Sequence, residues 1–176
     1  MNLRKEYMHI LILLLTLGCT SVSVSPVPDK QSDDVYVYRF LSHGDRLVLD
    51  MQREAVFFDD VGIEADYCKP QSEYHCVRSE LFSFAVPRNL TKERERWELN
   101  EKTYWVSQPP IKRDWFGERL TIAVIHLTEF EHNDNKTTDF YYSLERGLLA
   151  LQIDPGKADA AWVTLQSTVG FGAMDK

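Results

Sequence analysis

Along the chain, short runs of β-branched and aromatic residues alternate with clusters of turn-forming polar residues, the pattern of strands joined by tight connections. Val35-Tyr-Val-Tyr-Arg-Phe40 is the first run, Ser42-His43-Gly44-Asp45 supplies a turn, and Leu47 to Met51 returns beside it. The wider span Leu47 to Phe58 is assigned to strand, although Leu47, Val48, Met51, Ala55 and Phe58 also fit one helix face. Ser79 to Pro87 alternates Leu81, Ser83 and Ala85 against Phe82, Phe84 and Val86, which predicts a strand with one strongly apolar face. The charged span Thr91 to Asn100 suits a short helix, and Lys102 to Ser107 returns to strand before Pro109-Pro110 breaks the chain.

Leu120 to Phe130 is a β-branched run long enough to traverse a large sheet. Phe140 to Ser143 and Leu148 to Ile153 flank Leu144-Glu-Arg-Gly147, a hairpin in which Gly147 takes the positive φ that a tight turn needs. Asp154-Pro155-Gly156 makes the next turn, and Trp162 to Gln166 a last strand. Many short strands without a βαβ rhythm predict a mainly β fold. The expected architecture is an antiparallel sheet curled into a partial barrel or stacked as a β-sandwich, with at most one or two short helices.

The amino terminus breaks the pattern. Arg4 and Lys5 precede a compact apolar run, Ile10 to Leu17, and small residues follow around Cys19, the three-part layout of a secretory signal peptide. That run is far short of the roughly 20 apolar residues that a membrane-crossing helix needs. Thr16-Leu17-Gly18-Cys19 resembles the lipobox of bacterial lipoproteins, with Thr16 where leucine is commonest and Leu17 where a smaller residue is usual. The resemblance covers about the first twenty residues and implies cleavage before Cys19 and acylation of its sulfur, giving a membrane partner through the lipid anchor. Thr20 stands where an aspartate would favour inner-membrane retention, so the expected location is the outer membrane, facing the periplasm.

These signals divide the chain into a leader (1–18), a lipidated start with a Ser-, Pro- and Asp-rich tether (19–34), one β-rich domain (35–172) and a short tail (173–176). With 44% hydrophobic and 12% aromatic residues, the domain has ample material for a core. The formal net charge is −7, and removing a leader with two basic residues and one acid makes it one unit more negative. That sign disfavours nucleic acid as a partner, and the basic cluster Lys92 to Arg96 is interleaved with acids.

Setting Cys19 aside, Cys68 and Cys76 form an even pair, expected as a disulfide in an exported protein. Closing so short a loop contributes roughly 2.5 kcal/mol in the chain-entropy model. Metal binding is the weaker reading, since only His75 stands near the pair. No G-x-S-x-G elbow, H-E-x-x-H helix, C-x-x-C or phosphate-binding glycine loop occurs, so no catalytic residue, cofactor or metal site is assigned. The densest polar stretch is His126 to Asp139, read as a solvated turn; on one extended strand His126 and His132 lie about 20 Å apart, too far to share a metal.

What remains is aromatic. Tyr36, Tyr38, Tyr104, Trp105, Tyr141 and Trp162 are candidate ligand-facing residues, able to stack on a sugar or hold an acyl chain, with core packing as the competing explanation. The resulting expectation is a membrane-anchored, non-catalytic binding or accessory module whose partner is an envelope protein or a small apolar or sugar ligand. A structural envelope lipoprotein and a carboxylate-based hydrolase of envelope polymers are the alternatives.

Overall fold

The computed structural model describes residues 33–90, 95–131 and 134–173, of which 130, 131, 134 and 135 are described by their backbone alone. The leader, Cys19 and most of the tether, residues 91–94 of the charged span, and His132 lie outside the described residues. Thirteen strands and no helix occur among those described, in one antiparallel sheet nearly closed into a barrel.

The sheet grows largely by hairpins. β1 (Val35–Phe40), β2 (Arg46–Asp50), β3 (Ala55–Phe58), β4 (Val61–Tyr67), β5 (Tyr74–Ser79) and β6 (Ser83–Pro87) pair in sequence order. β7 (Arg96–Leu99), β8 (Lys102–Val106), β9 (Ile111–Trp115), β10 (Glu118–Glu131), β11 (Asp134–Ser143), β12 (Gly147–Ile153) and β13 (Ala161–Leu165) form the other half. β13 joins the halves by pairing β1, which leaves β6 and β7 as the free ends of the ladder, while β9 pairs β10 away from that path. β6 therefore meets the rest through side chains, with Phe84 against Phe140 at 4.9 Å and against Tyr142 at 6.2 Å between ring centroids.

Period-two patterning explains the long strand. Ala123, Ile125 and Leu127 of β10 point into the barrel, and Leu120 and Ile122 point outward under the β9 hairpin, where with Leu149 they form a second small core. Burial on both faces is why the run looks continuously apolar.

Two local expectations are corrected. Arg96–Leu99, taken as part of a short helix, is a strand, because Trp97 packs on Tyr104 across the β7–β8 hairpin. The strand expected over Ser79 to Pro87 begins only at Ser83: Ser79 closes β5, Leu81 is exposed, and β6 is buried along its whole length. β9 follows the prolines as a largely exposed strand whose charged IKRDW sequence carries little apolar signal.

One end of the barrel is filled by residues 170–173. Phe171, 3% exposed, sits among Tyr36, Tyr67 and Phe84 at ring distances of 5.7, 5.9 and 6.2 Å. Its backbone is held as firmly: the Phe171 N–H donates to the Tyr38 hydroxyl (3.1 Å), and that hydroxyl donates to the Leu148 carbonyl (3.1 Å). The Leu148 N–H donates to the Phe171 carbonyl (2.9 Å), and the Tyr142 hydroxyl donates to the Gly172 carbonyl (2.7 Å). Gly170 is required by proximity, since a Cβ there would lie 1.9 Å from the Leu148 oxygen. Burial pushes the Tyr142 hydroxyl up to about 12 and that of Tyr38 well above the ordinary phenol range, so both stay neutral donors.

Tyr38→Phe removes the hydroxyl that bridges β12 to the plug and leaves two buried groups, the Phe171 N–H and the Leu148 carbonyl, with a lost partner. A loss of about 2–3 kcal/mol in unfolding free energy is expected by urea titration, with the m-value unchanged; a loss below about 0.5 kcal/mol would show that the plug is not held this way.

Candidate functional site

The opposite end of the barrel holds a cavity of about 460 Å³, within the span of small-molecule sites, roughly 300–1,000 Å³. It exists because inward positions near these strand ends carry rings and branched chains that do not meet across the axis. Phe40, Leu47 and Phe58 come from β1–β3, and Leu127, Phe140 and Leu151 from β10–β12. Leu81 and Phe82, in the turn between β5 and β6, close one side. Glu80, Glu129, Lys136 and Asp154 supply the charges of the lining. Glu129 is paired with Lys102, and Asp154 accepts from the Thr137 N–H at 3.3 Å.

One polar atom in the wall is unusual. Ser83, 6% exposed, lines the cavity, and its hydroxyl oxygen is buried without a hydrogen-bond partner among the described residues. A buried hydroxyl in that state costs about 1–3 kcal/mol relative to a bonded one. The lining thus mixes apolar rings and branched chains with a charged fringe, able to hold a molecule with an apolar body and a polar end.

The aromatic residues expected to face a ligand are divided between positions. Tyr36 and Tyr38 belong to the plug at the other end. Tyr104 lies in the inner wall, its ring 5.9 Å from Trp97, and burial followed by the charge of Glu129 raises its hydroxyl above the ordinary range. Packing accounts for these three. The cavity rings are phenylalanines, which sequence reasoning missed because an inward phenylalanine at a strand end looks the same as one in the middle.

Trp105, Tyr141 and Trp162 lie on the outer wall. Trp105 is 40% exposed and its ring centroid is 4.2 Å from that of His126, while Tyr141 stands between Trp162 (5.0 Å) and Trp115 (5.8 Å). Burial, then the charge of Asp139, raises the Tyr141 hydroxyl, with Arg113 opposing, so it is a neutral hydrogen-bonding group.

No protein-family model, curated protein or solved structure matches the chain. What the site can do therefore rests on its own geometry.

On that outer wall the stretch read as a solvated turn becomes a hydrogen-bonded chain. The β10–β11 hairpin sets His126 directly opposite Asp139, with Nδ1 2.6 Å from the carboxylate Oδ1. Ser107, which follows β8, places its Oγ 3.0 Å from His126 Nε2. With the imidazole proton on Nδ1, His126 donates to Asp139 and accepts from the exposed Ser107 hydroxyl. Among the described residues no group of three or more His, Cys, Asp or Glu side chains is placed to hold a metal ion.

The Cys68 and Cys76 sulfurs lie at disulfide distance, with Cys68 just after β4 and Cys76 in β5. This staple is at the plugged end, where the neighbouring His75 packs against Gly172.

Proposed function

We propose that the protein is a lipid-anchored envelope binding module that holds a small amphipathic molecule in the open end of its barrel. The observation that carries this reading is the cavity lined by Phe40, Phe58, Phe82 and Phe140 with charged groups at its fringe. An apolar body covers Phe40, Phe58 and Phe140, and a polar end meets the fringe of Glu80, Lys136 and Thr138. The anchor is supported by the leader pattern ending at Cys19, and residence in an oxidising compartment by the Cys68–Cys76 geometry. Acylation at Cys19 and an outer-membrane address facing the periplasm complete the proposal.

One observation favours a second reading. Ser107, His126 and Asp139 are linked in the order that serine hydrolases use, in which the hydroxyl attacks an acyl carbonyl as the imidazole takes its proton and the carboxylate orients the ring. This is a different chemistry from the paired carboxylates that the composition suggested.

The cavity reading is tested with the uncharged fluorescent probe N-phenylnaphthylamine and the mature domain. Saturable fluorescence enhancement is expected, abolished by Thr138→Trp, which fills the cavity from a partly buried lining position. Equal enhancement in the natural protein and a folded Thr138→Trp variant contradicts it. For the hydrolase reading, a fluorophosphonate probe should label Ser107 in the natural protein and neither Ser107→Ala nor His126→Ala; absence of labelling in the natural protein removes that reading.

A further inference from the structure

The strand register lays five side chains in one continuous row that follows the curve of the outer wall. Trp105 is paired opposite His126, His126 opposite Asp139, Asp139 opposite Gln152, and Gln152 opposite Trp162. Directly opposed residues share a face, so the row runs perpendicular to five neighbouring strands and spans four strand spacings, about 19 Å at roughly 4.8 Å each. Its ends are indole rings and its middle is imidazole, carboxylate and amide.

Each part of the row is held in place. Trp105 leans on His126, which is fixed by Asp139 and Ser107. Trp162 leans on Tyr141, whose hydroxyl points toward Gln152 Oε1 at 3.4 Å. Trp115 and Phe116 extend the aromatic end, Phe116 being 88% exposed and 5.7 Å from Trp115 at the tip of the β9–β10 hairpin. Phe116 also has φ 47°, a conformation uncommon for a bulky residue, so a large apolar ring is kept exposed at a turn position that Asn or Gly would fill with less strain.

We infer that this row is a binding strip for an extended oligosaccharide. Two separated aromatic platforms offer the flat apolar surfaces on which pyranose faces stack, and the His126, Asp139 and Gln152 groups between them match a ligand lined with hydroxyls. A protein partner fits less well, because the centre of a protein interface is depleted in charged groups, and here the charged and polar groups are central while the aromatics are at the ends. The length favours several linked sugars over one. The strip is on the opposite side of the sheet from the cavity, so the two sites are separable by mutation.

The test is a titration of the mature domain with linear tetrasaccharides of glucose and of N-acetylglucosamine in both α and β linkage, alongside the monosaccharides, followed by tryptophan fluorescence and calorimetry. At least one tetrasaccharide is expected to bind at millimolar or lower concentration, with its monosaccharide at least about tenfold weaker, a difference of about 1.4 kcal/mol. Trp105→Ala and Trp162→Ala should each weaken it about tenfold or more, Trp105→Phe should recover much of the loss, and the cavity-filling Thr138→Trp should leave it unchanged. Circular dichroism establishes that each variant is folded. Absence of saturable binding to every tetrasaccharide, or binding unaffected by both folded tryptophan variants, overturns the inference.

Discussion

Everything in this barrel depends on how its interior is closed at one end. The Tyr38 hydroxyl, wholly buried, accepts from the Phe171 N–H and donates to the Leu148 carbonyl, so a single side chain of β1 ties the segment after β13 to the start of β12. Phe171 then fills the space between Tyr36, Tyr67 and Phe84. Because β6 makes no ladder with β7 or β8, the seam is held by rings instead of backbone hydrogen bonds, and Phe84 touches both the plug and the β11 rings. The plug, the seam and the inner wall are one packed cluster. Phe171 and its neighbours fill that end, and the cavity opens at the other.

How far the sequence revealed this follows from the range of each interaction. Hairpins set by local turn chemistry were legible: Val35–Phe40 with its return strand, and β11–β12 with Gly147 at φ 76°. Arg96–Leu99 and Ile111–Trp115 were not, because charge and exposure erase the period-two signal on strands with one poorly buried face. The barrel-or-sandwich choice turned on β13 pairing β1, a contact between strands more than a hundred residues apart that no local pattern encodes.

The candidate sites divide in the same way. Aromatic content marked the right residue class, yet strand parity and register decide which wall each ring joins, and they sent Tyr36, Tyr38 and Tyr104 to packing and Trp105, Tyr141 and Trp162 outward. For His126 and Asp139 the turn was legible but its register was not: pairing Glu131 with Asp134 is what sets these two opposite each other. Ser107 and Ser83 carried no comparable signal. Each became notable only through its neighbours in space, one by reaching a histidine from another strand and the other by finding no partner.

A barrel filled at the Phe171 end leaves a cavity open at the Phe140 end, and the proposed ligand must enter there. The direct measurement is methyl-resolved NMR of the mature domain during titration with N-phenylnaphthylamine. Saturable shifts are predicted for Leu127, Leu151 and Ile153, which line the cavity, with Leu148 and the outward Leu149 unmoved. Shifts centred on Leu148 or Leu149, with the cavity methyls silent, would contradict it.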